Sequence, residues 1–115
     1  MANARTRNNP RAVRGSRSGR PIMVLLDLLG RRWTLRIFWE LRDGALTSRA
    51  LREACDDASP TIIQQRLSEL RDAGFIAKRE EGGYALTEQG RALCSTFMPL
   101  HHFAEKWNKR RASVA

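Results

Sequence analysis

The chain has 115 residues and a mass of 13.1 kDa, which is enough for one small domain. Hydrophobic residues make up 42% and charged residues 29%, so the chain is able to bury a core, although a small one that dimerisation would help to stabilise. These figures exclude a multidomain enzyme.

Positive charge is concentrated at the start of the chain. The net charge is +9, and residues 1–20 contain six arginines and no acidic residue, whereas 15 basic and 12 acidic residues follow. Residues 1–20 offer little apolar surface to offset the entropy of ordering, so we predict a disordered basic arm before a folded domain over residues 21–115. The arm either contacts a polyanion, for which nucleic acid is a better candidate than an anionic membrane, or is a solvated tail.

The hydropathy pattern argues against a membrane protein. No apolar run approaches the roughly 20 residues that span a bilayer. The basic start is not followed by a secretory core and cleavage site, so we expect the protein in the cytoplasm, with no membrane partner. Cys55 and Cys94 fit a reducing compartment, and we interpret both as small buried hydrophobes.

Two amphipathic helices are predicted after the arm. In each, four residues fall at positions i, i+3, i+4 and i+7, the spacing of one helix face. Gly30 is placed to end the first helix, and Asp43-Gly44 to end the second. The residues are Ile22, Leu25, Leu26 and Leu29 in the first helix, and Thr34, Ile37, Phe38 and Leu41 in the second.

Two further helices follow, separated by a short turn. Thr47 is a candidate N-cap for a short third helix that ends at the turn 56–58. Ser59 and Pro60 are a cap residue followed by proline at the first helical position, and Gly74 sits where a left-handed residue closes a helix. The fourth helix is therefore predicted over Pro60 to Ala73.

The last third of the chain predicts a β-hairpin and a long helix. Residues 75–79 and 84–86 have a shorter period and flank a glycine-rich tip, and such a hairpin must pack on the helices to be stable. Thr87 caps a final helix, which Pro99 kinks or splits. Its apolar stripe comprises Leu93, Phe97, Leu100, Ala104 and Trp107.

This order of elements predicts a mainly α fold with a small β-hairpin, the winged helix-turn-helix. In that fold the second helix of the helix-turn-helix pair, here the fourth helix, enters the major groove of DNA. At 100° per residue, its apolar residues Ile63, Leu67 and Leu70 face the core. The residues broadly opposite are polar: Thr61, Gln64, Gln65, Ser68 and Asp72.

The outward residues suit the reading of base edges in double-stranded DNA. Glutamine pairs with adenine through two hydrogen bonds, and the hydroxyls of Ser59 and Thr61 can meet a base or a phosphate at the helix N-terminus. On the hairpin, Lys78 and Arg79 are the expected phosphate contacts, while the neighbouring glutamates, 80 and 81, repel phosphate. Arg66 either reaches DNA or pairs with Glu69 or an acid on the third helix; both alternatives stay open.

Several segments together resemble the HxlR-type transcriptional regulators. The resemblance covers about residues 21–107 and is carried by linked motifs in the family's order. These are Leu26-Asp27-Leu28-Leu29-Gly30-Arg31-Arg32-Trp33-Thr34-Leu35, Leu51-Arg52, Ser59-Pro60 through Gln65-Arg66-Leu67-Ser68-Glu69-Leu70 with Gly74, and Leu86-Thr87-Glu88-Gln89-Gly90-Arg91. We add Arg32, within the first motif, to the expected DNA contacts.

The resemblance implies a homodimer that binds a roughly palindromic site as a repressor or an activator, of which we favour the repressor. Its first and last helices would build the dimer interface, and their apolar stripes exceed what a three-helix core needs. The expected interface residues are Ile22, Leu25, Leu29, Leu100, Phe103 and Trp107. Many family members carry a thiol just before the proline that opens helix one; Arg20 stands there, which excludes thiol sensing at that position.

Other function classes have less support. An enzyme or a metal site is not expected, because the adjacent His101 and His102 point about 100° apart on a helix and no ligand cluster surrounds them. No cofactor is expected either.

The alternative function is that of a nonspecific DNA- or RNA-binding accessory protein driven by the arm. Against it, the three tryptophans sit in helical patterns and are expected to pack rather than stack on bases. A small-molecule inducer near the dimer interface remains an open alternative.

Overall fold

The computed structural model describes residues 19–114, in which six helices and two strands follow one another. Apart from Gly19 and Arg20, the predicted basic arm lies outside the described residues. The chain divides into two compact units, one ending at Arg36 and one beginning at Ile37. The elements are α1 (Pro21–Leu29), α2 (Thr34–Leu41), α3 (Ser48–Ala54), α4 (Pro60–Asp72), β1 (Ile76–Lys78), β2 (Tyr84–Leu86), α5 (Glu88–Phe97) and α6 (Pro99–Val114).

The first unit contains α1 and the turn that leads into α2. Pro21 opens α1 at a position where its missing N–H costs nothing. Gly30 ends the helix as predicted, but with φ −77°, so a left-handed conformation is not its reason. The left-handed residue is instead Trp33, with φ 78° in the turn. The expectation that Trp33 lies in a helix is therefore wrong, because α2 begins only at Thr34.

In the second unit, α3 and α4 form a helix-turn-helix with predicted caps at both starts. The Thr47 hydroxyl accepts from the backbone N–H of Ala50 at 3.0 Å, and the Ser59 hydroxyl accepts from that of Ile62 at 3.4 Å. Asp56 and Asp57 turn the chain with φ 58° and 59°. Gly74, φ 86°, follows α4 in the left-handed conformation that the sequence predicts there.

The core of the second unit collects one face from each of several elements. Phe38 meets Phe75 and Phe97 edge to face, with ring centroids 5.8 Å apart in both pairs. Both cysteines are buried, as predicted, and neither forms a disulfide. The buried hydrophobic residues of this unit are Ile37, Phe38, Leu41, Leu51, Cys55, Ala58, Ile63, Leu67, Leu70, Ile76, Tyr84, Leu86 and Cys94.

The hairpin of β1 and β2 is antiparallel, with Ala77 opposite Ala85. A third segment, which no sequence pattern predicted, joins it. Leu46, just before α3, exchanges two backbone hydrogen bonds with Tyr84, of 3.0 and 2.8 Å. A Cβ at Gly83 would lie 3.1 Å from the Leu46 carbonyl oxygen, so glycine permits this close approach. The bridge ties the hairpin to the helix-turn-helix.

The final predicted helix is split. Thr87 caps α5 as predicted, accepting from the Gly90 N–H at 3.0 Å while its hydroxyl donates to the Gly74 carbonyl at 2.7 Å. The split falls at Met98, before Pro99 opens α6. On α6, His101 lies beside Trp39, with ring centroids 5.3 Å apart. Trp107 is more than half exposed in this single chain, where the sequence predicts a residue of the dimer interface.

Candidate nucleic-acid interface

The α4 helix has two sharply different faces. Ile63, Leu67 and Leu70 are almost completely buried, as the helical periodicity predicts. The polar residues on the other side are all exposed: Thr61, Gln64, Gln65, Ser68 and Asp72. The structure therefore brings four of the expected base-reading side chains onto one exposed surface, which we call the α4 polar face: Thr61, Gln64, Gln65 and Ser68.

The N-terminus of α4 adds a region of positive electrostatic potential. The first turn contains no acidic residue, and the first backbone N–H groups of a helix carry partial positive charge. Ser59 uses its hydroxyl oxygen as an acceptor for the Ile62 N–H, so its own O–H proton is still able to donate to an anion. This end of the helix suits a phosphate.

Arg66 lies beside the polar face and is engaged with Glu69. Its Nη1 is 3.2 and 3.1 Å from the two carboxylate oxygens, and both side chains are mostly buried. Of the two alternatives for Arg66, the structure shows the ion pair one turn along its own helix. Arg66 is therefore not counted among the candidate base-reading residues.

The hairpin carries both predicted basic residues, in different surroundings. Lys78 is exposed at the end of β1, whereas the Arg79 guanidinium lies 2.6 Å from the Glu81 carboxylate. The hydrogen bond from Arg79 lowers the pKa of Glu81, so this carboxylate is ionised at neutral pH. The negative charge of Glu81 is thus placed where it competes with phosphate for Arg79.

Arg32 lies in the first unit, in the turn before α2. Its guanidinium carbon is 5.4 Å from the centroid of the Trp33 ring, a cation–π arrangement. The side chain is exposed.

The predicted interface residues of the terminal helices are exposed to different degrees. On α6, the exposed fractions are 58% for Leu100, 65% for Phe103 and 52% for Trp107. On α1, Ile22 is 54% exposed, whereas Leu25 and Leu29 are partly buried. Leu26, which was not among the predicted interface residues, is 52% exposed and belongs to the same helical stripe of α1.

The described residues hold no constellation for metal chemistry. Among residues 19–114, no group of three or more His, Cys, Asp or Glu side chains is arranged to hold a metal ion. The ring of His101 lies against Trp39, and its Nε2 is 3.4 Å from the Glu105 carboxylate. None of the helices within residues 19–114 combines the length and the apolar character needed to cross a bilayer.

Comparison with known proteins connects this geometry to a family. Residues 28–112 match the model of the HxlR-like helix-turn-helix family. The uncharacterized HTH-type transcriptional regulator YvaP of Bacillus subtilis is 27% identical over 90 residues, which cover 71% of this chain and 82% of YvaP.

Solved structures agree with this assignment. The quinone-bound YodB from B. subtilis is 28% identical, with a TM-score of 0.67 over 74% of this chain and 94% of YodB. A possible HxlR family transcriptional factor from Thermoplasma volcanium is 29% identical, with a TM-score of 0.69 over 77% of this chain and 85% of that one. These two neighbours are transcriptional regulators and not enzymes. This chain shares their fold, the winged helix-turn-helix. The chain belongs to the HxlR family of helix-turn-helix transcriptional regulators.

Proposed function

We propose that this regulator is a homodimeric repressor that binds a specific sequence of double-stranded DNA with α4 in the major groove. The observation that carries the proposal is the α4 polar face, an uncharged hydrogen-bonding surface held outward by a fully buried apolar stripe. A helix fixed in this way presents the same side chains to every duplex, which sequence-specific reading needs.

Within this proposal, direct contacts to bases and contacts to phosphates come from different residues. Gln64 and Gln65 each offer an amide donor and acceptor, the pair of groups that matches the major-groove edge of adenine. Ser59 and the N-terminus of α4 contact a phosphate, and Lys78 contacts another from the hairpin. Arg32 and Arg79 complete the proposed set, with Arg79 limited by its ion pair with Glu81.

A homodimer is supported by the exposed apolar residues of the last helix, α6. Leu100, Phe103 and Trp107 fall at i, i+3 and i+7 on α6, so they share one face, and each is more than half exposed. Burial of such a stripe against its symmetry mate stabilises a two-fold dimer, which then matches a palindromic site. Of a repressor and an activator we favour the repressor, because a dimer that occupies a promoter blocks transcription without any further contact.

The test is to select binding sites from a random duplex pool and then compare matched variants. We expect Gln65→Ala to weaken binding to the selected site by about 1–3 kcal/mol and to leave random DNA unaffected. Lys78→Ala should weaken both duplexes alike. Gln89→Ala removes an exposed glutamine from α5 and is the control. Equal losses on both duplexes for Gln65→Ala would overturn base reading by α4.

The arm, residues 1–20, gives the second candidate function, a nonspecific nucleic-acid-binding accessory protein. It is favoured by six arginines without any acidic residue. Deletion of residues 1–20 separates the two candidates. A regulator that reads DNA through α4 then shows a weaker salt dependence but keeps its sequence preference, whereas an accessory protein loses binding altogether.

A small-molecule effector is a further proposal, supported by the similarity to YodB, whose structure was solved with quinone bound. Arg20 precedes Pro21 here, so we do not place a thiol sensor at that position. A thermal-shift screen of quinones and related aromatic compounds tests the proposal, because a ligand that binds the folded state raises Tm. No stabilising compound in such a screen would count against it.

A further inference from the structure

An open groove separates the C-terminal half of α4 from the first strand of the hairpin. It has a volume of about 510 Å³. The residues that line it come from both elements: Ser68, Arg71, Asp72, Ile76, Ala77 and Lys78. Because Ser68 also belongs to the α4 polar face, the groove begins where the proposed base-reading surface ends.

Two cations from different elements line the groove. Arg71 stands in the last turn of α4 and Lys78 at the end of β1, and both are exposed. Within residues 19–114, neither side chain forms an ion pair at 4.0 Å or less. Asp72 is the one carboxylate in the lining, so the groove keeps a net positive charge.

The tip of the hairpin has the opposite character. Arg79 is held by Glu81 at 2.6 Å, and Glu80 adds a second, exposed carboxylate. The tip therefore carries one arginine against two glutamates. A polyanion that approaches the hairpin is attracted to its base, beside Arg71 and Lys78, rather than to its tip.

We propose that this groove holds the sugar–phosphate backbone of one DNA strand, with Arg71 and Lys78 as phosphate contacts and the Ser68 hydroxyl as a hydrogen-bond donor. This rests on the proposed function, because the duplex must face the α4 polar face for its backbone to enter the groove. Arg71 is then a DNA contact that its sequence position alone does not reveal. Asp72 weakens the same contact by repelling phosphate.

The experiment measures affinity for the selected site and for random duplex over a range of salt concentrations. Arg71→Ala should weaken both by a similar factor and reduce the slope of log affinity against log salt by about 0.9. Lys109→Ala, which removes one exposed cation from the side of α6 opposite Leu100, Phe103 and Trp107, is the control. Asp72→Asn should change affinity in the opposite direction and strengthen binding to both duplexes. Urea unfolding of each variant verifies that the fold is intact.

The outcomes separate this proposal from the proposed function. If Arg71→Ala and Asp72→Asn bind like the Lys109→Ala control while Gln65→Ala loses the selected site, the groove proposal fails and the function stands. If Arg71→Ala loses only the selected site, Arg71 contacts a base and the backbone assignment is wrong. If the unmodified chain selects no sequence, the proposed function fails.

Discussion

Gly90, in the first turn of α5, lies directly against the carbonyl oxygen of Phe75. A Cβ built on Gly90 would overlap this oxygen. The same carbonyl accepts the backbone N–H of Thr87, the cap of α5, at 3.0 Å. The absence of a side chain at Gly90 therefore lets the start of α5 rest on the segment that leads into the hairpin.

Replacement of Gly90 by alanine should destabilise the protein, because the added methyl group meets backbone rather than a side chain that can turn away. We expect a loss of about 1–3 kcal/mol in the free energy of unfolding, measured by urea denaturation. Gln89→Ala, at the exposed neighbouring position, should change stability little. If Gly90→Ala is as stable as the Gln89→Ala control, the close approach does not constrain the fold.

Neutralisation of Glu81 should strengthen DNA binding, because it frees Arg79 for phosphate and removes a repulsive charge. We expect Glu81→Gln to raise affinity by about two- to fivefold, equally for selected and random duplexes, in a fluorescence anisotropy titration at low salt. Glu80→Gln removes the same charge but is not the partner of Arg79, so its effect should be smaller. Equal effects of the two substitutions would show that the ion pair does not limit Arg79.

A charge on the exposed stripe of α6 should break the proposed homodimer. Phe103→Glu places a carboxylate among the residues expected to meet the partner, so we expect a monomer in sedimentation equilibrium. Ala112→Glu introduces the same charge at an exposed position of α6 away from the stripe and should leave the dimer intact. If the unmodified chain is a monomer, or if Phe103→Glu remains dimeric, this stripe is not the interface.

The Cys94 thiol should resist alkylation in the folded protein. Burial raises its pKa, the nearby Asp43 acts in the same direction and Arg42 opposes both. A raised pKa lowers the fraction of Cys94 that is present as the reactive thiolate at a given pH, so the rate of modification falls. We expect iodoacetamide at pH 8 to modify Cys94 slowly in buffer and rapidly in urea, as followed by mass spectrometry. Rapid modification of the native protein would contradict this.

Local patterns in the sequence predicted the helices, their caps and the orientation of α4. Helical periodicity places Ile63, Leu67 and Leu70 on one side, and this side must be buried whatever it packs against. Ser59 with Pro60, and Gly74, mark the ends of α4 because capping depends on residues only a few positions apart. The family resemblance rests on the same short segments.

Contacts between distant or competing partners were decided only by the tertiary structure. The Leu46–Tyr84 bridge joins residues far apart in the chain, and neither carries a local signal for it. The sequence left open whether Arg66 reaches DNA or pairs with Glu69 or an acid on the third helix, and the structure shows the ion pair with Glu69. The groove at Arg71 exists because α4 and β1 are placed side by side. Sequence periodicity fixes which way a side chain points from its own element, whereas the groove depends on how two elements are packed together.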